Sequence, residues 1–198
     1  MSARGDRPTG RALGWRVVAT RELVSTPWIN LRQDEVQVAG HGQITYTYLH
    51  QTPAVYVVPV MADGRVVLIR QYRYPVDDWC LEVPAGGSHD RPGVPLREVA
   101  REELREEAGG RCGAIERVGS FYSANTHSDQ ESHVFLALKV ELGGTPAREG
   151  TERIEVVPTP AREAVELART GRVSDAASAL ALLLCEDLLR RYGYLERG

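Results

Sequence analysis

The chain of 198 residues has few cysteines, no long apolar run and little net charge, and each shortage excludes a class of protein. Its cysteines, Cys80, Cys112 and Cys185, are odd in number and far apart, which argues against a disulfide framework or a zinc cluster. No apolar segment approaches the roughly 18–20 residues of a membrane-spanning helix. The formal net charge of −3 provides no basic field for nucleic acid or anionic membranes. We therefore expect a cytoplasmic protein with reduced thiols, bound to neither nucleic acid nor membrane.

What is present is typical of a globular protein. Apolar residues make up 42% and charged residues 26%, enough to build a sizeable core in one domain. The polar start of the chain, up to Arg11, has no apolar stretch like that of a signal peptide, so secretion by this route is not expected. We find neither an internal repeat nor a low-complexity segment.

The residue pattern predicts three parts: a flexible tail over 1–12, a β-rich region over 13–50 and the main domain over 51–198. Alternating and β-branched runs predict strands, and 3.6-residue periodicity predicts helices. The predicted strands cover 15–20, 34–38, 43–48, 54–61, 66–72, 81–83, 115–121, 133–140 and 153–157, and the helices cover 95–108, 160–170 and 175–192. Strands, one helix, strands and final helices indicate an α+β fold or an α/β/α sandwich, not a regular βαβ series.

The helix over 95–108 carries acidic side chains on an unexpected face. At about 100° per residue, its apolar stripe runs through Leu96, Ala100, Leu104 and Ala108. Three carboxylates fall inside this stripe or at its edge, namely Glu103, Glu106 and Glu107, whereas Glu98 and Glu102 fall on the opposite side. Carboxylates that face a core and repel one another are costly unless a cation compensates them.

Two kinds of cation could compensate these carboxylates. A divalent ion is one solution, and a site made of oxygen ligands favours Mg²⁺ or Mn²⁺ over zinc. Buried arginine partners are the other, and Arg70 or Arg73 could serve from the end of the strand at 66–72. A solvated, salt-bridged surface helix remains the plainest alternative.

This region resembles the signature of the Nudix hydrolase family. The resemblance lies in Leu81–Gly86, a loop with Pro92-Gly93, and the run Arg101-Glu102-Glu103-Leu104-Arg105-Glu106-Glu107-Ala108-Gly109. Looser similarity covers nearly the whole chain and is greatest to the ADP-ribose pyrophosphatase branch, with segments like Gln71-Tyr72-Arg73 and Ser174–Leu180. The resemblance implies a Nudix-type α/β/α sandwich with a mixed sheet and a small N-terminal β region.

The chain departs from the family pattern at three places. Counted from Gly86, the loop before the helix is two residues longer than in the pattern. Val94 stands where the first glutamate of the signature is expected, and Glu102 stands where its arginine is expected. That arginine orients a metal-binding glutamate, so we expect Arg101 or Arg105 to replace it.

The resemblance also implies a metal site. The ligands would be Glu103, Glu107, the carbonyl of Ala85 and the loop residue Glu152, with Gly86 allowing the backbone to approach closely. The base that takes a proton from the attacking water would be Glu106 or a loop carboxylate, Glu149 or Glu152. The alternative is that Glu149 and Glu152 are solvated loop charges.

Three further residues are candidates for binding the substrate. Arg73 matches a phosphate-contacting position of the family, and Arg70 could grip a diphosphate in the same bidentate way. Trp28 matches a region whose aromatic residues stack on adenine in the family. The alternatives are solvated strand ends for the two arginines and a core or interface position for Trp28.

The resemblance implies Mg²⁺-dependent cleavage of the pyrophosphate of a nucleoside diphosphate-linked substrate, ADP-ribose first, to AMP and ribose 5-phosphate. Other nucleotide-sugar or dinucleotide pyrophosphatases are the alternative enzymes, and a non-catalytic ADP-ribose sensor with the same fold is the alternative of another class. The resemblance further implies a homodimer formed through the region over 13–50. The helix over 176–185 is apolar on nearly every side, so it either spans the core or builds a dimer contact.

Overall fold

The computed structural model describes residues 7–89, 91–147 and 150–196. The chain divides into an N-terminal unit, Met1–Gln51 with Ala124–Gln130, and a larger unit, Thr52–Ser123 with Glu131–Gly198. Within the described ranges, every helix is too short or too polar to cross a membrane.

The N-terminal unit is a three-stranded antiparallel sheet that follows a short helix. Its elements are α1 (Pro8–Ala12), β1 (Trp15–Ser25), β2 (Asn30–Val38) and β3 (Gly42–Leu49), with the strands side by side in chain order. The tail predicted over 1–12 thus contains a short helix over Pro8–Ala12, whereas residues 1–6 lie outside the described residues. Pro8 sets a helical φ in the first turn, and the N–H of Leu13 donates to the carbonyls of Thr9 and Gly10, which closes the helix.

A buried carboxylate ties the strands of this sheet together. Asp34 on β2 is 1% exposed and accepts hydrogen bonds from Thr20 at 2.7 Å, Arg32 at 3.1 Å and Tyr48 at 3.1 Å. Burial acts to raise the pKa of Asp34, but these hydrogen bonds outweigh it and hold the pKa below its ordinary value. The aspartate is therefore stable as an anion inside the sheet.

The larger unit is built on a mixed sheet. Its elements in chain order are β4 (Ala54–Met61), β5 (Arg65–Arg73), a 3₁₀ turn (Tyr74–Val76), β6 (Asp78–Glu82), β7 (Ala85–Gly87), α2 (Leu96–Ala108), β8 (Gly110–Arg111), β9 (Ala114–Tyr122), β10 (Glu131–Leu142), β11 (Ile154–Pro160), α3 (Ala161–Arg169), α4 (Ala176–Leu184) and α5 (Glu186–Arg191). The central order is β11-β5-β4-β10-β8, with β6 beside β5, β7 beside β4 and β9 beside β10. Only β4 and β10 run parallel among the described pairs.

Helices cover both faces of this sheet. One face presents Val55, Val57 and Ile69 to α2, and the other presents Val58 and Leu68 to α3, α4 and α5. Successive side chains of a strand point to opposite faces, so these β-branched runs fill two cores at once. The α+β class and the α/β/α sandwich are thereby confirmed.

Two local features differ from the predicted elements. Ala85–Gly87, which lies outside the predicted strands, forms β7, because it pairs with Ala54–Tyr56 of β4. The predicted helix over 175–192 is divided at Cys185 into α4 and α5, although Cys185 keeps helical dihedral angles of φ −82° and ψ −9°. The apolar residues of α4 are also divided, because Leu182 is buried whereas Leu180 and Leu184 are exposed.

Candidate active site

The face of α2 that packs on the sheet carries two carboxylates. Its buried residues are Val99, Ala100, Glu103, Leu104, Glu107 and Ala108, as the helical phase predicts. Glu103 is 8% exposed and Glu107 is 5% exposed, and they lie one helical turn apart. The helix ends at Gly109, which has a φ of 66° and donates its N–H to the carbonyl of Arg105.

Glu107 is a buried carboxylate with neighbours of both signs. Its Oε2 accepts a hydrogen bond of 2.8 Å from the N–H of Ala85. Burial raises the pKa of Glu107 well above its ordinary value, and repulsion from Glu103 and Glu152 acts in the same direction. The hydrogen bond from Ala85 and the charge of Arg73 act in the opposite direction but do not cancel the rise. The structure thus brings Glu103 and Glu152 within electrostatic reach of Glu107.

Glu103 is held between a glycine and an arginine. A Cβ added at Gly86 would lie 2.3 Å from the carboxylate of Glu103, so a side chain at this point of β7 would force that carboxylate to move. Arg91, in the loop before α2, donates from Nη1 to Glu103 at 2.6 Å and from Nη2 to Glu106 at 2.8 Å. Arg91 takes the place that we predicted for Arg101 or Arg105.

Arg101 and Arg105 have other partners. Arg101 donates to the carbonyl and the sulfur of Cys112, so it does not orient a carboxylate of the site. Arg105 donates to Glu106 at 2.9 Å, and about half of its side chain is exposed, at 51%.

Arg73 lies at the edge of the same site, paired with a buried glutamate. Its Nε and Nη2 donate to the two carboxylate oxygens of Glu82 at 2.8 and 2.6 Å, a bidentate pair. Glu82 is 3% exposed, and the next residue, Val83, donates its N–H to the buried hydroxyl of Ser178 on α4. Hydrogen bonding to Glu82 raises the pKa of Arg73, so the guanidinium is firmly held and charged.

Two further predicted substrate residues, Arg70 and Trp28, lie on other elements than α2. Arg70 lies on the opposite face of β5 from Gln71 and Arg73. There it donates to Glu155 at 3.1 Å, and its Cζ lies 4.8 Å from the centre of the Trp79 ring. Trp28 is 66% exposed in the N-terminal unit, in the turn between β1 and β2. Glu149, the predicted loop base, lies outside the described residues.

The donor set suits a divalent cation, but the side chains are not arranged around one. Among residues 7–89, 91–147 and 150–196, no three His, Cys, Asp or Glu side chains converge closely enough to hold a metal ion. The available donors are hard oxygens, as Mg²⁺ or Mn²⁺ requires. Gln71, two residues beyond Ile69 on the α2 side of β5, adds a buried Oε1 that has no hydrogen-bond partner in the described part of the chain. The residues therefore fit a metal ion that takes the place of Arg91 on Glu103.

Sequence reasoning missed Glu82 and Arg91. The alternation of β6 is a signal for Glu82, because Cys80 and Glu82 are both buried while Trp79 is exposed and Leu81 is only partly buried. Arg91 has no comparable signal, since it lies in a loop without periodicity. Only the excess of acids on one edge of α2 indicated that some cation had to lie there.

Comparison with known proteins identifies the family of this chain. The family model "NUDIX domain" matches residues 50–180. The ADP-ribose pyrophosphatase of Bacillus subtilis is 25% identical over 173 residues, which cover 87% of this chain and 92% of that protein. The GDP-mannose pyrophosphatase of Cronobacter sakazakii is 34% identical over 128 residues, which cover 59% of this chain and 64% of that protein. A solved structure described as an ADP compounds hydrolase superposes with a TM-score of 0.79 at 18% identity, covering 91% of this chain and 97% of that one, which supports the fold. The chain therefore belongs to the Nudix family of hydrolases and is similar to the ADP-ribose pyrophosphatases.

Proposed function

We propose that the protein hydrolyses the pyrophosphate bond of a nucleoside diphosphate-linked substrate with Mg²⁺ or Mn²⁺, and that ADP-ribose is cleaved to AMP and ribose 5-phosphate. One observation carries the proposal: Glu103 and Glu107 are buried side by side on α2, with Glu152 close enough to raise the pKa of Glu107. Converging carboxylates are costly to bury, and a divalent cation offsets both their burial and their mutual repulsion.

The metal would be held by Glu103, Glu107 and Glu152, with the backbone carbonyl of Ala85 as a further ligand. β7 supports this assignment, because Ala85 already donates its N–H to Glu107 and so lies beside the carboxylates. A divalent ion supplies neutralisation of the diphosphate and a more acidic attacking water. Gly86 keeps the space that Glu103 needs.

The remaining roles fall to residues around this centre. Glu106 is the described candidate for the base, because it is only half-buried and lies next to Glu107 on α2, and Glu149 and Glu152 are the loop candidates. Arg73 would bind the phosphate that leaves, since Glu82 holds its guanidinium in place while 43% of its side chain stays exposed. Trp28 remains a proposed adenine contact. Arg70 is left out, because it lies on the other face of β5.

A second substrate class has support of its own. GDP-mannose pyrophosphatases are among the relatives, and the one from Cronobacter sakazakii is 34% identical over its matched residues. GDP-mannose is therefore the second candidate. The complete set Glu103, Glu106 and Glu107 disfavours a sensor that binds without cleaving.

Assembly and location are also proposals. We propose a homodimer formed through residues 13–50, because β1 is exposed almost throughout and carries the apolar side chains Val18, Leu23 and Val24 at its surface. Residues 51–198 would then form the hydrolase domain. A cytoplasmic location stays a prediction from the sequence.

The test is a substrate panel with and without metal. The protein is incubated with ADP-ribose, ADP-glucose, GDP-mannose or NADH in Mg²⁺, and nucleoside monophosphate release is measured. ADP-ribose should be cleaved fastest, EDTA should abolish release, and Mg²⁺ or Mn²⁺ should restore it. Faster cleavage of GDP-mannose would favour the second candidate. Full activity in a chelated sample would refute the metal mechanism, and binding of ADP-ribose without cleavage of any substrate would indicate a sensor.

A further inference from the structure

Arg91 is bound to three carboxylates of α2 at once. Its Nη1 lies 2.6 Å from Glu103, its Nη2 lies 2.8 Å from Glu106, and its Nε lies 3.2 Å from Glu102. Only 16% of the Arg91 side chain is exposed. Each nitrogen of the guanidinium thus serves a different acid, from a loop that precedes the helix.

We infer that Arg91 is the resident counter-cation of these acids: it neutralises Glu103 and Glu106 in the metal-free protein and leaves Glu103 when a divalent cation binds. The inference rests on the proposed function, in which Glu103 is a metal ligand. It makes Arg91 a positioning residue that sets the metal affinity and couples metal binding to the loop before α2.

The reason is competition for one carboxylate. Glu103 is fixed above Gly86 and is 8% exposed, so it has little room to turn toward a second partner. A guanidinium and a divalent ion on the same carboxylate repel each other, and burial strengthens that repulsion. The planar fork of Arg91 also holds Glu103 and Glu106 in a spread arrangement.

The places where the sequence departs from the Nudix signature support the same role for Arg91. Glu102 stands where the family signature has arginine, and Arg91 lies in the loop that is two residues longer than the pattern. The guanidinium beside Glu103 therefore comes from a loop and not from the preceding residue of the helix. A loop residue can move away from α2 without unwinding the helix, as displacement requires.

The first experiment titrates MgCl₂ by calorimetry into the wild type, Arg91→Gln, Arg91→Lys and the control Arg101→Gln. Removing the competitor should tighten Mg²⁺ binding about tenfold in Arg91→Gln and lower its melting temperature without metal. Arg91→Lys should lie between Arg91→Gln and the wild type. Arg101→Gln removes the same charge from α2 itself and should bind Mg²⁺ as the wild type does. Equal or weaker binding by a folded Arg91→Gln would overturn the inference.

The second experiment needs no variant. Phenylglyoxal modification of the wild-type protein is followed at each arginine by peptide mass spectrometry, with and without saturating Mg²⁺. Modification of Arg91 should accelerate severalfold with metal, whereas that of Arg65, which pairs with Asp63 at the surface, should not change. An unchanged rate at Arg91 would overturn the inference even if Arg91→Gln fails to fold.

The two experiments separate the inference from the proposed function. If the wild type and Arg91→Gln both bind Mg²⁺ equally, only the role of Arg91 fails. If neither binds Mg²⁺ or Mn²⁺, the metal mechanism fails, and the inference fails with it. Binding by Arg91→Gln alone would support both, with Arg91 as the stronger competitor.

Discussion

Glu107 shows how a buried charge makes stability depend on pH. The pKa of its carboxyl lies well above the ordinary 4.5, mainly because the group is buried and also because Glu103 and Glu152 repel it. A group with a higher pKa in the folded than in the unfolded protein binds more protons when folded, so its favourable contribution is present at low pH. That contribution is lost as the pH rises from about 4.5 through the folded pKa.

We therefore expect Glu107→Gln to stabilise the metal-free protein at pH 8 while it inactivates the enzyme. The amide can still accept the hydrogen bond from Ala85 but carries no charge to repel Glu103. The melting temperature should rise by about 2–4 °C for each kcal/mol gained at pH 8 and stay nearly unchanged at pH 4.5. Turnover in Mg²⁺ should fall roughly 10²–10⁴-fold. Scanning calorimetry and product release measure the two effects.

Glu98→Gln is the matched control for this prediction, because Glu98 is exposed on the opposite side of α2. It should leave both quantities nearly unchanged. A lower melting temperature for metal-free Glu107→Gln at pH 8 would mean that Glu107 is a structural ion-pair partner. Glu103→Gln is expected to behave differently and to lower the melting temperature, since it breaks the pair with Arg91.

Gly86 lies against the carboxylate of Glu103 and leaves no space for a side chain. Gly86→Ala places a methyl group where the carboxylate of Glu103 lies, so the carboxylate must move. Displacement of a catalytic group by about 1 Å can cost roughly 10²-fold in rate, and we expect a loss of that order in turnover. Gly87→Ala is the control, because its methyl group meets only the movable ring of His89 at 3.1 Å. Comparable losses in both variants would show that β7 tolerates no side chain and that Glu103 is not the reason.

The elements of the larger unit follow from local patterns, and α4 is the informative exception. Its sequence is apolar almost all round, yet in this fold only one side packs in the core. The hydrophobic pattern predicts that such a helix is covered on both faces, but it does not say what covers the second one. Leu180 and Leu184, one turn apart, form the exposed side.

Truncation of two leucines tests this division of α4. Leu182→Ala empties a fully buried position and should lower the free energy of unfolding by about 2–5 kcal/mol. Leu184→Ala, at a position that is 41% exposed, should change it by less than about 0.5 kcal/mol. Urea denaturation measures both. Equal losses would contradict the prediction and would place Leu184 in a buried contact.

At the scale of the whole molecule, the exposed apolar side chains of β1 predict self-association. Light scattering at micromolar concentration should give twice the mass of a single chain. Leu23→Lys puts a charge on the apolar surface of β1 and should shift the mass toward the monomer. Tyr74→Lys, at an exposed position of the larger unit, should leave the dimer intact. A monomer mass for the wild type would refute the dimer.

The sequence predicted the elements that depend on near neighbours. The continuous β-branched run of β4, the glycine that ends α2 and the 3.6-residue phase that turns Glu103 and Glu107 inward all arise within a few residues. The short helix α1 and the pairing of β7 were not predicted. α1 has five residues and buries none of them, so it shows no apolar periodicity, and β7 is fixed by its pairing with the distant β4.

The sequence places three acids in or near the apolar face of α2 and so predicts a cation beside them. The identity of their partners came from the fold: Arg91 reaches Glu103 from a loop, and Arg73 pairs with Glu82 across a hairpin and not with Glu103. The difference lies in the range of the interactions. The face of a helix follows from local backbone geometry, whereas the partner of a charge depends on where the chain returns in space.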